Sequence, residues 1–145
     1  MHVFTIGFTK KSAEQFFEML RKHGIKRLID VRLNNVSQLA GFSKREDLAY
    51  FLKKICDAEY IHEPLLAPTQ DILDAFKKER GDWSTYEKAF LSLMAARMIE
   101  SKIDPALFDV PTTLLCSEPT AEHCHRRLVV EYLQENWNNL EIKHL

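Results

Sequence analysis

Alternating strand and helix signals predict an α/β fold, built as a single domain over residues 1–145. The expected architecture is a mainly parallel sheet of about five strands, with helices on both faces and a helical excursion at about 70–102. Three observations carry that prediction. Short runs of β-branched and leucine residues recur at 3–6, 25–31 and 112–116. Stretches with apolar residues at helical spacing lie between them, which is what crossovers between parallel strands require. The length of 145 residues suits one domain, and folding at that size removes roughly 70% of the unfolded chain's surface from water.

The opening run 3–6 stops at Gly7, and Ser12 precedes a stretch in which Ala13, Phe16, Phe17 and Leu20 share a helical face before Gly24 closes it. Strand, loop, capped helix and helix stop follow in that order. Residues 25–31 are branched and too few for a helix, so a second strand completes a βαβ unit, with Asp30 and Arg32 where it ends. A polar, turn-prone stretch over 33–43 leads into a helix over about 44–57, striped by Leu48, Phe51, Leu52 and Ile55. Tyr60, Ile61 and His62 make a short third strand. Pro64 and Pro68 punctuate a loop, after which 71–78 and 86–101 read as two helices separated by Gly81, Asp82, Trp83 and Ser84. Pro111 introduces the strand 112–116, and the stretch from Cys124 through Leu128, Val129, Tyr132 and Leu133 is helical in period. Residues 140–144 supply a last strand.

Composition narrows the class. Hydrophobic residues make up 46% and charged residues 28%, with only four glycines and five prolines, so disorder and fibrous repeats are excluded. Acidic and basic residues nearly cancel to a formal charge of −1, so no whole-molecule field draws the chain to nucleic acid or to an anionic membrane. Residues 1–7 lack the pattern of a signal peptide, and no apolar stretch approaches membrane-spanning length, which predicts a cytoplasmic protein without membrane association. The three cysteines, Cys56, Cys116 and Cys124, do not form a disulfide-dense pattern and read as thiols.

In open parallel sheets the loops leaving the carboxyl ends of the strands form the binding crevice. Four polar groups fall there: Gly7-Phe8-Thr9, Asp30 with Arg32, Tyr60 with His62, and Cys116-Ser117-Glu118. Asp30 and Arg32 are two apart and so share one face of an extended strand, where they pair with each other or with a ligand. Cys124, His125 and Arg126 start a helix, whose free N–H groups and positive dipole end favour an anion or a thiolate and make a depressed pKa natural at Cys124. Cys116 and Glu118 are also two apart, so a thiol and a carboxyl could serve as nucleophile and general acid or base. Cys56, on its helix among apolar residues, reads as a small buried hydrophobe.

Other uses of the same residues stay open. Cys116, Cys124 and His125, with His62 or His144, are zinc-ligand types, although structural zinc sites bring cysteines in closer pairs than C-x7-C-H. No cofactor is otherwise predicted. Cys116 and Cys124 could form a reversible disulfide if strand end and helix start lie close enough. The lysine and arginine pairs, such as Lys10-Lys11 and Lys44-Arg45, read as solvated faces, and Trp83, Tyr86, Phe90 and Trp137 as core aromatics, so nucleic-acid binding has no motif behind it.

These residues carry a resemblance. Thr5-Ile6-Gly7, Ile29-Asp30-Val31-Arg32, Phe42 with the following helix, Tyr60 with His62, Leu114-Leu115-Cys116-Ser117-Glu118, Cys124-His125-Arg126 and the closing His144-Leu145 resemble the bacterial and archaeal domain-of-unknown-function family numbered 488. LLCSE followed by CHR is its specific part. The resemblance implies a compact α/β fold and a shared polar cluster of enzymatic character, without an established reaction. The chain departs from the commoner pattern at Phe8, at Asn34-Asn35 and at Leu66-Ala67, which suggests a subgroup. Ile-Asp-Val-Arg also resembles a strand of rhodanese-like sulfurtransferases, but no rhodanese-type cysteine loop follows.

The expected function is an enzyme for a small anionic or nucleotide-like substrate. Cys116, Glu118, Cys124 and His125 are the candidates for thiol-dependent hydrolysis or group transfer, and Asp30, Arg32, Tyr60, His62 and Arg126 the candidates for substrate binding. The rivals are a non-catalytic module that binds a nucleotide, nucleic acid or partner, and a metal-dependent enzyme using Cys116, Cys124 and histidine.

Overall fold

A computed structural model describes residues 1–35, 41–118 and 120–145. Five strands form one sheet: β1 (His2–Gly7), β2 (Arg27–Asp30), β3 (Glu59–His62), β4 (Thr112–Cys116) and β5 (Glu141–His144). Their spatial order is β3-β2-β4-β1-β5, and every pairing is parallel. The alternation of strand residues divides the core in two. Val3, Ile29, Leu114 and Cys116 point to one face, and Ile6, Leu28 and Leu115 to the other.

On the second face lie α1 (Ala13–Lys22) and α2 (Arg45–Phe51), which supply Phe16, Phe17, Leu20 and Leu48. The start of α1 is a full capping box: Ser12 accepts from the Gln15 amide, while the Gln15 side chain accepts from the Ser12 amide. The first face is covered by α4 (Trp83–Arg97), α5 (Ile99–Lys102) and α6 (His125–Asn136), with Phe90, Met94, Ile99, Leu128, Val129 and Leu133 fully or almost fully buried. α3 (Gln70–Lys77) precedes α4, so the helical excursion falls where the sequence places it. No helix among the described residues is long and apolar enough to cross a membrane.

Three expectations need correction. The helix predicted over 44–57 runs as α2 and then widens into a π-helical turn at Leu52–Cys56. The wider turn rotates the following residues, so Ile55 is 39% exposed and Cys56 takes the buried position. The helix predicted from residue 86 starts at Trp83, because Asp82 accepts from the Thr85 amide as its cap, and it ends at Arg97 because Met98 turns left-handed at φ 55°. β2 is shorter than the apolar run 25–31. Within the turn-prone stretch 33–43, residues 36–40 lie outside the described ones, and Gly41–Ser43 form a single 3-10 turn.

Because β4 inserts between β1 and β2, the loops leaving β1 and β2 separate to either side of its carboxyl end. Cys116 therefore ends between Gly7, its registered partner on β1, and the backbone after Asp30. Gly7 is required there by close approach: a Cβ would fall 1.6 Å from the Glu118 carbonyl oxygen and 2.7 Å from Nη1 of Arg126. Gly7→Ala should therefore cost at least about 2 kcal/mol of stability in urea denaturation. Wild-type stability in that variant would show that the 117–118 backbone can give way.

Candidate functional site

Two polar networks meet at the carboxyl edge of the sheet. The first is built on β2 and β3. The Asp30 carboxylate is fully buried and takes a two-pronged contact from Arg32, with Nε at 2.9 Å and Nη2 at 2.8 Å. It also accepts from the Arg32 amide at 3.1 Å and the Tyr60 hydroxyl at 2.5 Å, so its lone pairs are well used. Burial, followed by that bond to Asp30, pushes the Tyr60 phenol above its ordinary pKa and keeps it a neutral donor. Arg32 further donates to the Ser43 carbonyl at 2.8 Å, with its guanidinium 5.3 Å from the Phe8 ring centroid. Its Nη1 is buried and has no partner among the described residues. His62 lies beside them, its Nε2 donating to the Arg32 carbonyl at 3.0 Å.

The second network joins β4 to the start of α6. His125 Nε2 is 2.7 Å from the Val31 carbonyl. A carbonyl only accepts, so Nε2 carries a proton and Nδ1 is left facing Cys116 Sγ at 3.5 Å. The sulfurs of Cys116 and Cys124 lie within 4.8 Å of each other. Interaction with the Cys124 thiol is the largest influence holding the Cys116 thiol well below its ordinary value; burial opposes it, and His125 and Arg126 assist it. For His125, burial alone would lower the imidazole, but the charge and hydrogen bond of Cys116 raise it on balance. Both directions favour a thiolate beside an imidazolium.

Cys124 behaves oppositely. Its position at the N-cap of α6 favours a thiolate by sequence, yet burial and the neighbouring Cys116 thiolate raise its pKa well above the ordinary value. The depressed thiol is Cys116, with the neighbouring Cys124 thiol as the first cause and the imidazole of His125 as a further one.

Arg126 ties the second network to β1. It is 0% exposed, and among the described residues no carboxylate pairs with it. Nη1 donates to the Glu118 carbonyl at 2.7 Å and lies 3.7 Å from Cys124 Sγ, Nε donates to Thr5 Oγ1 at 3.3 Å, and Nη2 has no partner among the described residues. Thr5 is then free to donate its hydroxyl to His144 Nδ1, 2.6 Å away, whose pKa burial and the Arg126 charge lower.

Cys116, Cys124 and His125 line one cavity of ≈ 150 Å³, with Leu33, Phe76 and Trp83 among its apolar walls. Glu118 also lines it, with its carboxylate on Lys77 at 2.6 Å, and so does Arg32. The structure brings together Cys116, Cys124 and His125 and places Arg126 and Glu118 around them. Tyr60 and His62 contact Asp30 and the Arg32 backbone and are not among the lining residues. The thiol sulfurs and the His125 nitrogen all lie within 4.8 Å of one another, a group that could hold a metal ion. Sequence reasoning missed Lys77, Thr5 and the Val31 carbonyl. Lys77 and Glu118 are 41 residues apart, and a backbone carbonyl leaves no signal in residue type.

The family described as "Domain of unknown function DUF488" matches residues 12–133, and the chain belongs to it. The match runs from the start of α1 into α6 and leaves β1 and β5 outside. Comparison with curated proteins and with solved structures returns no match.

Asp30→Ala should cost about 3–5 kcal/mol, since it leaves the Arg32 charge buried without its partner. Tyr60→Phe, which removes one hydrogen bond, should cost about 1 kcal/mol. Denaturant midpoints check both, and equal losses would show that the carboxylate is not what holds Arg32.

Proposed function

We propose that the chain is an enzyme using Cys116 as nucleophile in hydrolysis or group transfer on a small substrate with an anionic, nucleotide-like group. The carrying observation is the Cys116–His125 contact at 3.5 Å, its imidazole fixed by the Val31 carbonyl, at the edge of a cavity. The thiolate attacks an electrophilic atom of the substrate and forms a covalent bond to sulfur. The leaving group departs with the proton of the His125 imidazolium. An incoming water or acceptor then gives its proton back to the neutral imidazole as it displaces Cys116.

His125 rather than Glu118 carries the acid–base role, because the Glu118 carboxylate is engaged by Lys77. The Cys124 thiol lies within 4.8 Å of the Cys116 sulfur, and Arg126 supplies charge from behind. Support for an anionic substrate comes from Arg32, which is among the residues lining the cavity and whose buried Nη1 lacks a partner among the described residues. Asp30, Tyr60 and His62 hold that arginine and the strand end in place.

A second reading has an observation of its own. Two sulfurs and one nitrogen within 4.8 Å, with the other imidazole nitrogen held by a carbonyl, form a donor set that zinc accepts.

One experiment addresses both: alkylation of each cysteine against pH, read by mass spectrometry, with elemental analysis of the same sample. Thiolates react and thiols do not, so a lowered pKa keeps the rate up as pH falls, and a raised pKa delays reaction to higher pH. Cys116 should react well below the usual thiol pKa of about 8.5, and Cys56 and Cys124 only above it. His125→Asn should move the Cys116 profile to higher pH and reduce its rate at neutrality by roughly tenfold or more, a factor of ten for each pKa unit. An ordinary profile at Cys116 removes the nucleophile reading, and a stoichiometric ion that protects both thiols turns it to metal.

A further inference from the structure

We propose that Cys116 and Cys124 form a redox dithiol that reduces small aromatic disulfides, with Cys116 as the attacking sulfur and Cys124 as the resolving one. This rests on the reading of Cys116 as a nucleophile and assigns Cys124 a covalent role. Two observations carry it. The two sulfurs lie within 4.8 Å of each other, so rotation of a side chain brings them toward the disulfide bond length of about 2.05 Å. Both line the same cavity, so a group bonded to one sulfur is within reach of the other.

The substrate class follows from the cavity. Phe76, Trp83, Leu33 and Leu73 present apolar and aromatic surface beside the sulfurs, while Arg32 and Asn34 add polar contacts. An aromatic ring with an anionic substituent matches both parts.

The chemistry balances. The Cys116 thiolate attacks one sulfur of the substrate, the substrate's S–S bond breaks, and the departing thiolate takes the His125 proton. Cys124 then loses its proton to the neutral imidazole and attacks Cys116 Sγ. The mixed disulfide breaks, and the second substrate thiolate leaves with that proton. Two electrons and two protons pass to the substrate, which leaves as two thiols, and the protein retains a Cys116–Cys124 disulfide. An external dithiol of the dithiothreitol type returns it to the starting state by the reverse exchange.

The test is a single-turnover reaction of the whole protein with dithiobis(nitrobenzoate), an aromatic disulfide carrying a carboxylate on each ring. Coloured thiol is counted by absorbance, and the cysteine peptides are mapped by mass. Two equivalents released, no adduct on the protein and a Cys116–Cys124 cross-link removed by dithiothreitol are the expected result. Cys124→Ser should halve the release and leave the nitrobenzoate thiol bound to Cys116. One equivalent with the adduct retained on Cys116 in the wild-type protein would overturn the redox dithiol while leaving the nucleophile standing. No release from either thiol would sink both, and a stoichiometric ion that blocks release until chelated would assign the pair to metal instead.

Discussion

The site depends on a buried positive charge that no carboxylate among the described residues pairs with. Arg126 is the largest fully buried side chain, and an uncompensated ion in such a place costs several kcal/mol. What surrounds it answers to that cost. The Glu118 carbonyl is turned toward its Nη1, and that turn leaves no space for a side chain at Gly7. Thr5 accepts from Nε, which directs the threonine proton toward His144 at the sheet edge. Lys11, near the same guanidinium, has its pKa lowered by burial and by the Arg126 charge. The positive end of α6 adds to the excess. A thiolate at Cys116 is the negative charge that this arrangement favours.

The Asp30–Arg32 network and the thiol network are joined through two consecutive carbonyls. Asp30 holds both the side chain and the amide of Arg32, which fixes the backbone as it leaves β2. The next carbonyl, that of Val31, accepts from His125, and the Arg32 carbonyl accepts from His62. The buried ion pair therefore acts on the thiol at one remove: it sets the carbonyl that fixes the imidazole that faces the sulfur. A pair of this kind adds little net stability over an apolar substitute, but it fixes one geometry.

Much of this was legible in the sequence, because apolar strands cannot hide polar ends. Asp30, His62 and Cys116 each fall at the last position of a short apolar run, and parallel topology brings those ends to one edge. Ser12 and Gly24 marked α1 through local backbone chemistry. The failures have physical causes as well. Nothing local announces that α2 widens into a π turn, so helical spacing puts Ile55 on the apolar stripe, where the wider turn leaves it exposed and brings the next residue, Cys56, inward. Asp82 reads in sequence as part of a separator between two helices, yet its carboxylate caps α4. The Lys77–Glu118 pair joins segments whose proximity exists only after folding.

The assignment of the two thiols shows where helix-end reasoning stops. A helix N-terminus offers a thiolate at most about 2 kcal/mol, whereas removing that charge from water costs several. Cys124 sits at such a terminus and is 2% exposed, with its sulfur beside another that already carries the negative charge. Two adjacent buried thiols do not both ionise readily: Cys124 has the Arg126 guanidinium at 3.7 Å, yet burial and the neighbouring sulfur outweigh it, and the proton leaves the thiol whose donor is an imidazole. Cys116 has that donor in His125 at 3.5 Å. Spacing alone could place both sulfurs near the helix start, but the imidazole faces only one of them, and a carbonyl on a different strand end sets that direction.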